Sequence, residues 1–406
     1  MLQCGKSSFV NHLFFSVSIV STTGLAPAGF TEVYNLPGQI ISLIFIQLGG
    51  IGYMAISSFI VLKEFKRLPS VSARLLRLEF SLPKRYPFLQ FIYSVFIFTI
   101  LIELIGTVCL YFGFKNAGID NALWYAVFHS ISAFCTAGFS LFDDSLSSFK
   151  NNGLISNTIL VLSLLGSIGF IVLLDFWHRV TSKRKSITLT SKIILIFTFV
   201  FWIAGGIMIF VSDPKLLSMG FEGLYHAVFQ SISAHTTVGF NNYDISTLRV
   251  PAILVMIILM VVGASPAGTG GGIKTTSVSA IFAVLVSILK RRKNITFLNK
   301  EIPASNIYLA VASMIFYTII FAFGSWLLLE IDGDQFAFET LVFEVASALS
   351  TVGLSTGITA DLSDLSKLTI SLLMFIGRLG VLTFGLALIS ESPIIRAKPE
   401  QEDIAI

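Results

Sequence analysis

The chain has 406 residues, of which 54% are hydrophobic and 12% are charged, with a net charge of +4. Soluble globular proteins average about 25% charged residues, so this composition excludes an ordinary soluble enzyme or binding domain and indicates a polytopic membrane protein. The three cysteines, Cys4, Cys109 and Cys135, do not form a plausible disulfide framework. The chain also lacks the basic domain that nucleic-acid binding requires.

Four segments of the chain share one design. They read FFSVSIVSTTGL at 14–25, FHSISAFCTAGF at 128–139, FQSISAHTTVGF at 229–240 and FEVASALSTVGL at 343–354. With the glycine as position 0, each has Phe at −10, Ser at −6 and Phe or Leu at +1. The four glycines, Gly24, Gly138, Gly239 and Gly353, recur at spacings near one hundred residues. This spacing is too long for a solenoid and predicts four copies of a membrane-spanning unit.

Each copy contains an apolar run of about ten residues, too short to cross a bilayer and typical of a re-entrant segment. A short polar stretch follows it, which we call glycine stretch 1 to 4. The stretches are Ser21, Thr22, Thr23 and Gly24; Cys135, Thr136, Ala137 and Gly138; Thr236, Thr237, Val238 and Gly239; and Ser350, Thr351, Val352 and Gly353.

Non-helical backbone at membrane depth must border protein or water, because lipid cannot satisfy its polar groups. Four such stretches around one axis predict a ring of carbonyl oxygens that replaces the hydration shell of a monovalent cation, as potassium-selective filters do. Glycine suits the last position because it tolerates a positive φ. One copy alone is equally well read as a loop of small residues, but four copies in phase favour the filter.

Taken in order, the chain divides into four units and a tail. Apolar segments precede the short runs at 87–113, 189–212 and 303–329, and others follow them at 36–62, 155–177, 250–288 and 366–390. The predicted fold is all-α, with four pseudo-repeated helix–pore helix–helix units around one central pore. We assign unit 1 to 1–62, unit 2 to 87–178, unit 3 to 189–290, unit 4 to 303–392 and a cytoplasmic tail to 393–406. Unit 1 lacks its first helix, which indicates an incomplete sequence start or, alternatively, a natural seven-span form.

The basic residues predict the orientation of the chain. Nineteen Lys and Arg lie at 63–86, 178–192, 290–300 and after 390, against six on the side of the glycine stretches. Cytoplasmic loops collect Lys and Arg, so the glycine stretches are expected outside and the basic loops and C-terminus inside. Seven crossings that start outside end on the same inner side.

The second helices share a pair of glycines. Gly-x-x-Gly occurs at 49–52, 166–169 and 377–380, where small residues permit close helix approach. Unit 3 departs from this pattern with GASPAGTGGGIKTT at 263–276, and no continuous helix survives that much Gly and Pro. Residues 264–276, which we call the central loop, are therefore expected beneath the glycine stretches in the conduction path. A phosphate-binding P-loop would need Gly where Ile273 stands.

Two basic residues lie at membrane depth. Arg378 sits within an apolar helix, where a charge costs about 2.5–3.5 kcal/mol, so we expect it to face the pore and hold the central loop. A structural hydrogen bond without an effect on gating is the alternative. Lys274 has a comparable role, or else it snorkels to the cytosolic edge. The predicted gate residues are Gly268, Gly270, Gly271, Gly272, Lys274 and Arg378.

The remaining polar residues within or beside the membrane receive weaker roles. Glu103 is expected to partner a polar group on another helix. The histidines of the short runs share no ligand spacing, so a metal site is not expected; they are His129, His226 and His235. Several aspartates follow the glycine stretches and either concentrate cations at the mouth or cap helices; they are Asp143, Asp144, Asp244, Asp361 and Asp364.

On the glycine stretches, the central loop and Arg378 in Ile376–Gly380, the sequence resembles the Trk/Ktr/HKT superfamily of potassium transporters. Within it, the chain is most similar to the membrane-translocating subunit of bacterial Ktr systems. The resemblance covers essentially the whole chain. It implies a single pore from four units, a homodimer of such pores in the plasma membrane, and a cytosolic nucleotide-binding regulatory subunit. It also implies potassium as the transported ion and sodium-dependent uptake.

The expected function is therefore potassium uptake through a carbonyl-lined filter, with no catalytic chemistry. A transporter of the same fold that passes sodium as readily is the nearest alternative, and Gly24 argues against it. A secondary transporter of another solute would have two inverted repeats, whereas all four copies here run with their glycine stretches on one side.

Overall fold

The computed structural model describes residues 8–52, 88–181 and 186–388. The basic segment 63–86, part of the segment 178–192 and the tail 393–406 lie outside the described residues. The described part is helical apart from loops and one small hairpin, Thr296–Phe297 paired with Lys300–Glu301. In chain order the helices are α1 (Phe9–Val20), α2 (Phe30–Val33), α3 (Leu36–Ile51), α4 (Phe88–Asn116), α5 (Ala122–Phe134), α6 (Gly153–Ser167), α7 (Phe170–Val180), α8 (Leu189–Ser212), α9 (Pro214–Ser218), α10 (Phe221–Thr236), α11 (Val250–Val261), α12 (Thr275–Leu289), α13 (Ala304–Asp332), α14 (Phe338–Leu349), α15 (Asp364–Leu379) and α16 (Val381–Leu388).

Three helices among the described residues are long and apolar enough to cross a membrane unbroken: α4, α8 and α13. They coincide with the apolar segments expected at 87–113, 189–212 and 303–329. Only 22–33% of the most apolar 18-residue stretch of each helix is buried inside the protein. Large apolar side chains such as Phe199, Ile203 and Phe323 are exposed. An outer face of this kind suits lipid, because the bilayer core is as apolar as these side chains.

The second helix is interrupted in units 2 and 4 as well as in unit 3, which corrects the expectation that only unit 3 is broken. In unit 2, α6 and α7 meet at Gly169 with a bend of 94°. The second glycine of each Gly-x-x-Gly pair has a positive φ, 90° at Gly52, 86° at Gly169 and 82° at Gly380, and a helix ends just before it. Glycine is required because this region of φ is strained for residues with a Cβ. The pattern therefore marks a helix break in units 2 and 4, and in unit 1 it marks the end of α3, where the described residues also end.

The first glycine of each pair fits the expectation of close approach, but its contact is with backbone. A Cβ at Gly49 would lie 2.2 Å from Val20 O, one at Gly166 would lie 2.0 Å from Phe134 O, and one at Gly377 would lie 2.1 Å from Leu349 O. Each of those carbonyls lies at the end of a short helix just before a glycine stretch. The second helices thus rest directly on the backbone that leads into the stretches.

In units 1, 2 and 4 the second helix begins with a polar N-cap residue. The side chain accepts from the backbone N–H three residues on: Asn35 from Gly38, Asn152 from Ile155 and Ser363 from Ser366. A cap satisfies one of the backbone donors that the first turn of a helix leaves unpaired. In unit 3 the equivalent helix, α11, instead begins with a proline at its first turn.

The buried core consists mainly of four clusters that each join two units. One cluster joins units 1 and 2 around Phe15 and Phe128, and a second joins units 2 and 3 around Phe114 and Phe229. A third joins units 3 and 4, and the fourth joins unit 4 to unit 1. This packing closes a cycle of units in the order 1, 2, 3, 4 and back to 1. The short helices α1, α5, α10 and α14 line its inside, since their Phe at −10 is fully buried in every copy: Phe14, Phe128, Phe229 and Phe343.

Candidate functional site

Each of the four short helices ends in the same turn. The threonine at −2 has a φ between 49° and 58°, and the glycine at 0 has a φ between 65° and 95°. The threonines are Thr22, Thr136, Thr237 and Thr351. A β-branched residue in the left-handed region is a rare outlier that costs about 1–3 kcal/mol, so four of them at one position mark a strained and strictly determined backbone.

The serine at −6 holds this turn in every copy. Its carbonyl accepts the N–H of the residue at −1 over 2.8–3.1 Å. In copies 1 and 4 its hydroxyl also accepts from the glycine N–H, as between Ser18 and Gly24 at 3.1 Å. In copies 2 and 3 the hydroxyl donates to the carbonyl at +1, as from Ser132 to Phe139 at 2.8 Å. Two recurring residues of the sequence pattern, the serine and the glycine, therefore specify one backbone conformation.

The four glycine stretches meet in a closed ring. A Cβ added to each glycine would collide with the carbonyl oxygen at −1 of the next unit. For Gly353 of unit 4, the next carbonyl is that of unit 1, so the contacts close into a cycle. The distances are 2.4 Å from Gly24 to Ala137 O, 2.4 Å from Gly138 to Val238 O, 2.1 Å from Gly239 to Val352 O and 2.1 Å from Gly353 to Thr23 O. Real Cβ atoms do not approach this closely, so only glycine fits at position 0 of all four copies.

Three of the threonine hydroxyls at −2, those of Thr136, Thr237 and Thr351, lie against the central loop. Thr136 Oγ1 donates to Thr269 Oγ1 at 3.1 Å, and Gly271 N–H donates to Thr237 Oγ1 at 3.2 Å. The hydroxyls of Thr22 and Thr351 are fully buried and have no hydrogen-bond partner among the described residues. Buried polar groups are normally satisfied, so each of these two hydroxyls has an unused capacity to accept a hydrogen bond or to contact a cation.

The central loop is anchored on the broken second helix of unit 2. Ser265 N–H donates to Ser167 O at 3.0 Å, Thr269 N–H donates to Gly166 O at 3.1 Å, and Phe170 N–H donates back to Ala267 O at 2.9 Å. The loop has almost the shape of a hairpin, because Ala264 N–H also bonds Gly271 O at 3.0 Å. These bonds satisfy much of the loop's backbone without a helix.

The glycines predicted for the gate lie at the tightest approaches of the loop. A Cβ at Gly270 would be 2.2 Å from Thr237 Oγ1, and one at Gly271 would be 2.5 Å from Thr351 Oγ1. Gly268 lies against Ser167 O, and Gly272 has a φ of 73°. Lys274 Nζ donates to Gly270 O at 2.8 Å, so its ammonium contacts the loop itself.

Arg378 joins three units at this point. From the end of α15 its guanidinium donates to Thr269 O in the central loop, and also to Gly49 O and Gly50 O at the end of α3. The distance to Gly50 O is 3.3 Å. A guanidinium with several fixed donors suits this bridging of carbonyls. Sequence reasoning anticipated a contact with loop carbonyls but not the contact with unit 1.

Sequence reasoning missed a set of polar residues at −9. In units 2, 3 and 4 this side chain bonds the segment that follows the glycine. The pairs are His129 Nε2 with Ser140 Oγ at 3.0 Å, Gln230 Nε2 with Tyr243 O at 3.1 Å, and the Glu344 carboxylate with Ser355 Oγ and with Thr359 Oγ1, the latter at 3.0 Å. The signal was available, because a polar residue at −9 of an apolar run occurs in three of the four copies.

The other titratable residues have structural surroundings. Among the residues that the structure describes, no group of three or more His, Cys, Asp or Glu could hold a metal ion. Glu103 contacts Gln47 and Cys135, as expected for a partner of polar groups on other elements. Asp244 caps a short turn through Ser246 N–H, whereas Ser363 and not Asp361 caps α15. Cation concentration by the outer aspartates stays a prediction.

Long apolar helices that surround a closed ring of backbone carbonyls define a helical membrane transport protein. The family model described as "TrkH: Cation transport protein" matches residues 1–395. The chain therefore belongs to the TrkH family of cation transport proteins, and the resemblance inferred from its sequence is confirmed.

Several relatives and one solved structure are similar over nearly the whole chain. Ktr system potassium uptake protein B of Vibrio alginolyticus is 30% identical, with 97% of this chain and 87% of the relative covered. The Bacillus subtilis protein of the same name is 31% identical, covering 93% and 85%. Potassium/sodium uptake protein NtpJ of Enterococcus hirae is 29% identical, covering 94% and 86%. The potassium transporter TrkH of Vibrio parahaemolyticus has the same fold, with a TM-score of 0.70 at 19% identity, covering 95% of this chain and 79% of that one.

Proposed function

We propose that this chain mediates potassium uptake across the plasma membrane, with the ion passing through the ring of the four glycine stretches. The single observation that carries the proposal is the cyclic contact in which each glycine lies against the −1 carbonyl of the next unit. The names of two Ktr relatives, both potassium uptake proteins, support the choice of ion.

The proposed filter works by substitution of the hydration shell. Backbone carbonyls of the stretches, held by strained turns, provide the oxygens that a dehydrated potassium ion needs. The unpartnered hydroxyls of Thr22 and Thr351 extend this set of oxygens on the side of the central loop. No bond is made or broken, and the driving force is the membrane potential, worth about 2.3 kcal/mol per charge per 100 mV.

The central loop is the proposed gate. It lies against the threonines at −2 of three stretches, and Arg378 holds it through Thr269 O. Glycine-rich backbone has few steric constraints, so several loop conformations of similar free energy are accessible, as a two-state element requires. In this proposal the described arrangement is the closed form.

Regulation is proposed to come from a cytosolic nucleotide-binding subunit that acts on a homodimer of this chain. The support is the word "system" in the names of the Ktr relatives and the exposed basic segment Lys290–Lys293, which is followed by the hairpin at 296–301. A purified chain whose flux responds to ATP or ADP with no partner present would contradict this part of the proposal.

Sodium enters the proposal in two ways. Ktr-type uptake implies sodium dependence, and the relative NtpJ is named for both potassium and sodium uptake. A transporter that passes both ions is therefore the second candidate. Glycine at position 0 of all four stretches favours potassium, because the ring has no side chain that narrows it.

The proposal is tested by bacterial growth at low potassium and by ion uptake into vesicles. A bacterium without its own potassium uptake systems should grow at low potassium when it expresses this chain with its cytosolic partner. Vesicles that contain the purified proteins should take up potassium in preference to sodium, and the rate should be measured with and without added sodium. Equal uptake of both ions would favour the second candidate, and no uptake of either ion would refute the proposal.

A further inference from the structure

The side chains at −3 of the glycine stretches are supported in two different ways. In units 1 and 3 the hydroxyl at −3 bonds, among the residues that the structure describes, within its own helix and stretch. In units 2 and 4 a side chain from the long first helix reaches it. Tyr317 Oη lies 2.6 Å from Ser350 Oγ in unit 4, and Glu103 Oε1 lies 3.8 Å from Cys135 Sγ in unit 2. Only the second of these contacts brings an acidic group to the ring.

Glu103 brings three elements together. It lies in the middle of α4 and is 8% exposed. Its carboxyl hydrogen-bonds to the side chain of Gln47 on α3, whose Oε1 is also 3.8 Å from Cys135 Sγ. Its own carbonyl accepts from Ser130 Oγ on α5 at 2.7 Å. A buried acidic side chain is costly unless it is hydrogen-bonded, so the position of this carboxyl is closely tied to these neighbours.

The same turn of α3 that contacts Glu103 also contacts Arg378. A Cβ at Gly50 would lie 2.5 Å from Cys135 Sγ, and the Gly50 carbonyl accepts from the Arg378 guanidinium. The Glu103 carboxyl group and the Arg378 guanidinium therefore both contact residues 47–50. Any movement of this turn changes both contacts.

A second connection runs through the glycine stretch. Thr136 Oγ1 contacts both Cys135 O, at 2.8 Å, and Thr269 Oγ1 in the central loop, at 3.1 Å. Cys135 thus contacts the carboxyl of Glu103 on one side and leads to the central loop on the other. Glu103, the ring of glycine stretches and the central loop therefore meet at the inner end of glycine stretch 2.

We propose that Glu103 is a positioning residue that couples the ring to the central loop. It fixes Cys135 and the end of α3 relative to each other, and the position of α3 sets where Arg378 holds the loop. The inference rests on the proposed function, since it assigns Glu103 to both the ion preference of the ring and the closure of the gate. A residue with only a structural role would affect the amount of folded protein and neither of these properties.

The experiment compares three variants in vesicles, with the cytosolic partner present and absent. Glu103→Gln keeps the shape and removes the acidic group, and Cys135→Ala removes the thiol that Glu103 contacts. The matched control is Thr99→Val, one turn earlier on α4, because Thr99 is fully buried and its hydroxyl has no hydrogen-bond partner in the described part of the chain. We expect Glu103→Gln and Cys135→Ala to reduce the preference for potassium over sodium by about tenfold, the scale of one lost hydrogen bond between buried groups. Both should also make flux less dependent on the partner, and Thr99→Val should do neither.

The outcomes separate the two proposals. If the unaltered chain moves no potassium, the proposed function fails. If it does move potassium and a folded Glu103→Gln variant keeps both its ion preference and its dependence on the partner, the role of Glu103 is overturned. Should Glu103→Gln fail to fold, Cys135→Ala decides the question alone, and wild-type behaviour of that variant overturns the inference.

Discussion

Gly239→Ser tests the ring most directly, because the structure predicts two separate penalties for it. Gly239 has a φ of +82°, which costs a residue with a Cβ about 1–2 kcal/mol. The new Cβ would also lie 2.1 Å from Val352 O and 3.2 Å from the Cα of Gly353, and forced overpacking of this kind costs about 1–3 kcal/mol. The combined effect is about 2–5 kcal/mol, and it falls on the contact between units 3 and 4.

Part of this cost should appear as altered ion binding. The collision can be relieved only if glycine stretch 3 or 4 shifts, and a shift moves the carbonyls that we propose surround the ion. If half of the cost affects binding of potassium to the ring, uptake affinity falls by about fivefold to seventyfold. Discrimination against sodium should weaken at the same time. The assay is the concentration dependence of potassium uptake in vesicles, with sodium as a competitor.

Gly118→Ser is the matched control. Gly118 has a φ of +76°, but a Cβ there would meet nothing within 4 Å. This variant therefore carries the conformational cost without the collision, and it should lose about 1–2 kcal/mol of stability with unchanged ion preference. A folded Gly239→Ser variant with the uptake affinity and ion preference of the Gly118→Ser control would refute the assignment of the ring.

Three further predictions concern the loop and its surroundings. Deletion of Thr269–Gly271 should raise flux in vesicles and reduce its dependence on the partner; unaltered, partner-dependent flux would mean that the loop is only a helix break. Arg378→Ala should change flux in the same direction, because it removes the donor to Thr269 O. Flux that stays as partner-dependent as before would contradict the proposal that Arg378 holds the central loop closed. Glu344→Leu removes the acceptor of the Ser355 hydroxyl and one of two acceptors of the Thr359 hydroxyl, which also bonds Ser355 Oγ. The unpaired Ser355 hydroxyl should cost about 1–3 kcal/mol and lower the thermal unfolding temperature; an unchanged temperature would show that water replaces the carboxyl group.

The sequence alone determined the local features of this protein. Phe at −10, Ser at −6 and Gly at 0 specify a helix and the turn that ends it, and all three lie within eleven residues of one another, so their meaning can be read without the rest of the chain. Apolar length likewise located α4, α8 and α13, because a helix that faces lipid must be apolar along its whole length. The interruption in unit 3 could also be predicted from the sequence, because Gly and Pro disrupt a helix through their own backbone.

The tertiary structure decided how these local pieces meet. The cyclic order of the glycine stretches depends on collisions between residues about one hundred positions apart, such as Gly138 and Val238, and no periodicity reports such a contact. The Gly-x-x-Gly pairs were read as helix-packing sites, but whether such a pair packs or breaks a helix depends on what stands opposite it, here a backbone carbonyl at Gly166 and a 94° bend at Gly169. Arg378 contacts Gly49 across 329 positions for the same reason: the closure of four units into a cycle brings the last second helix against the first.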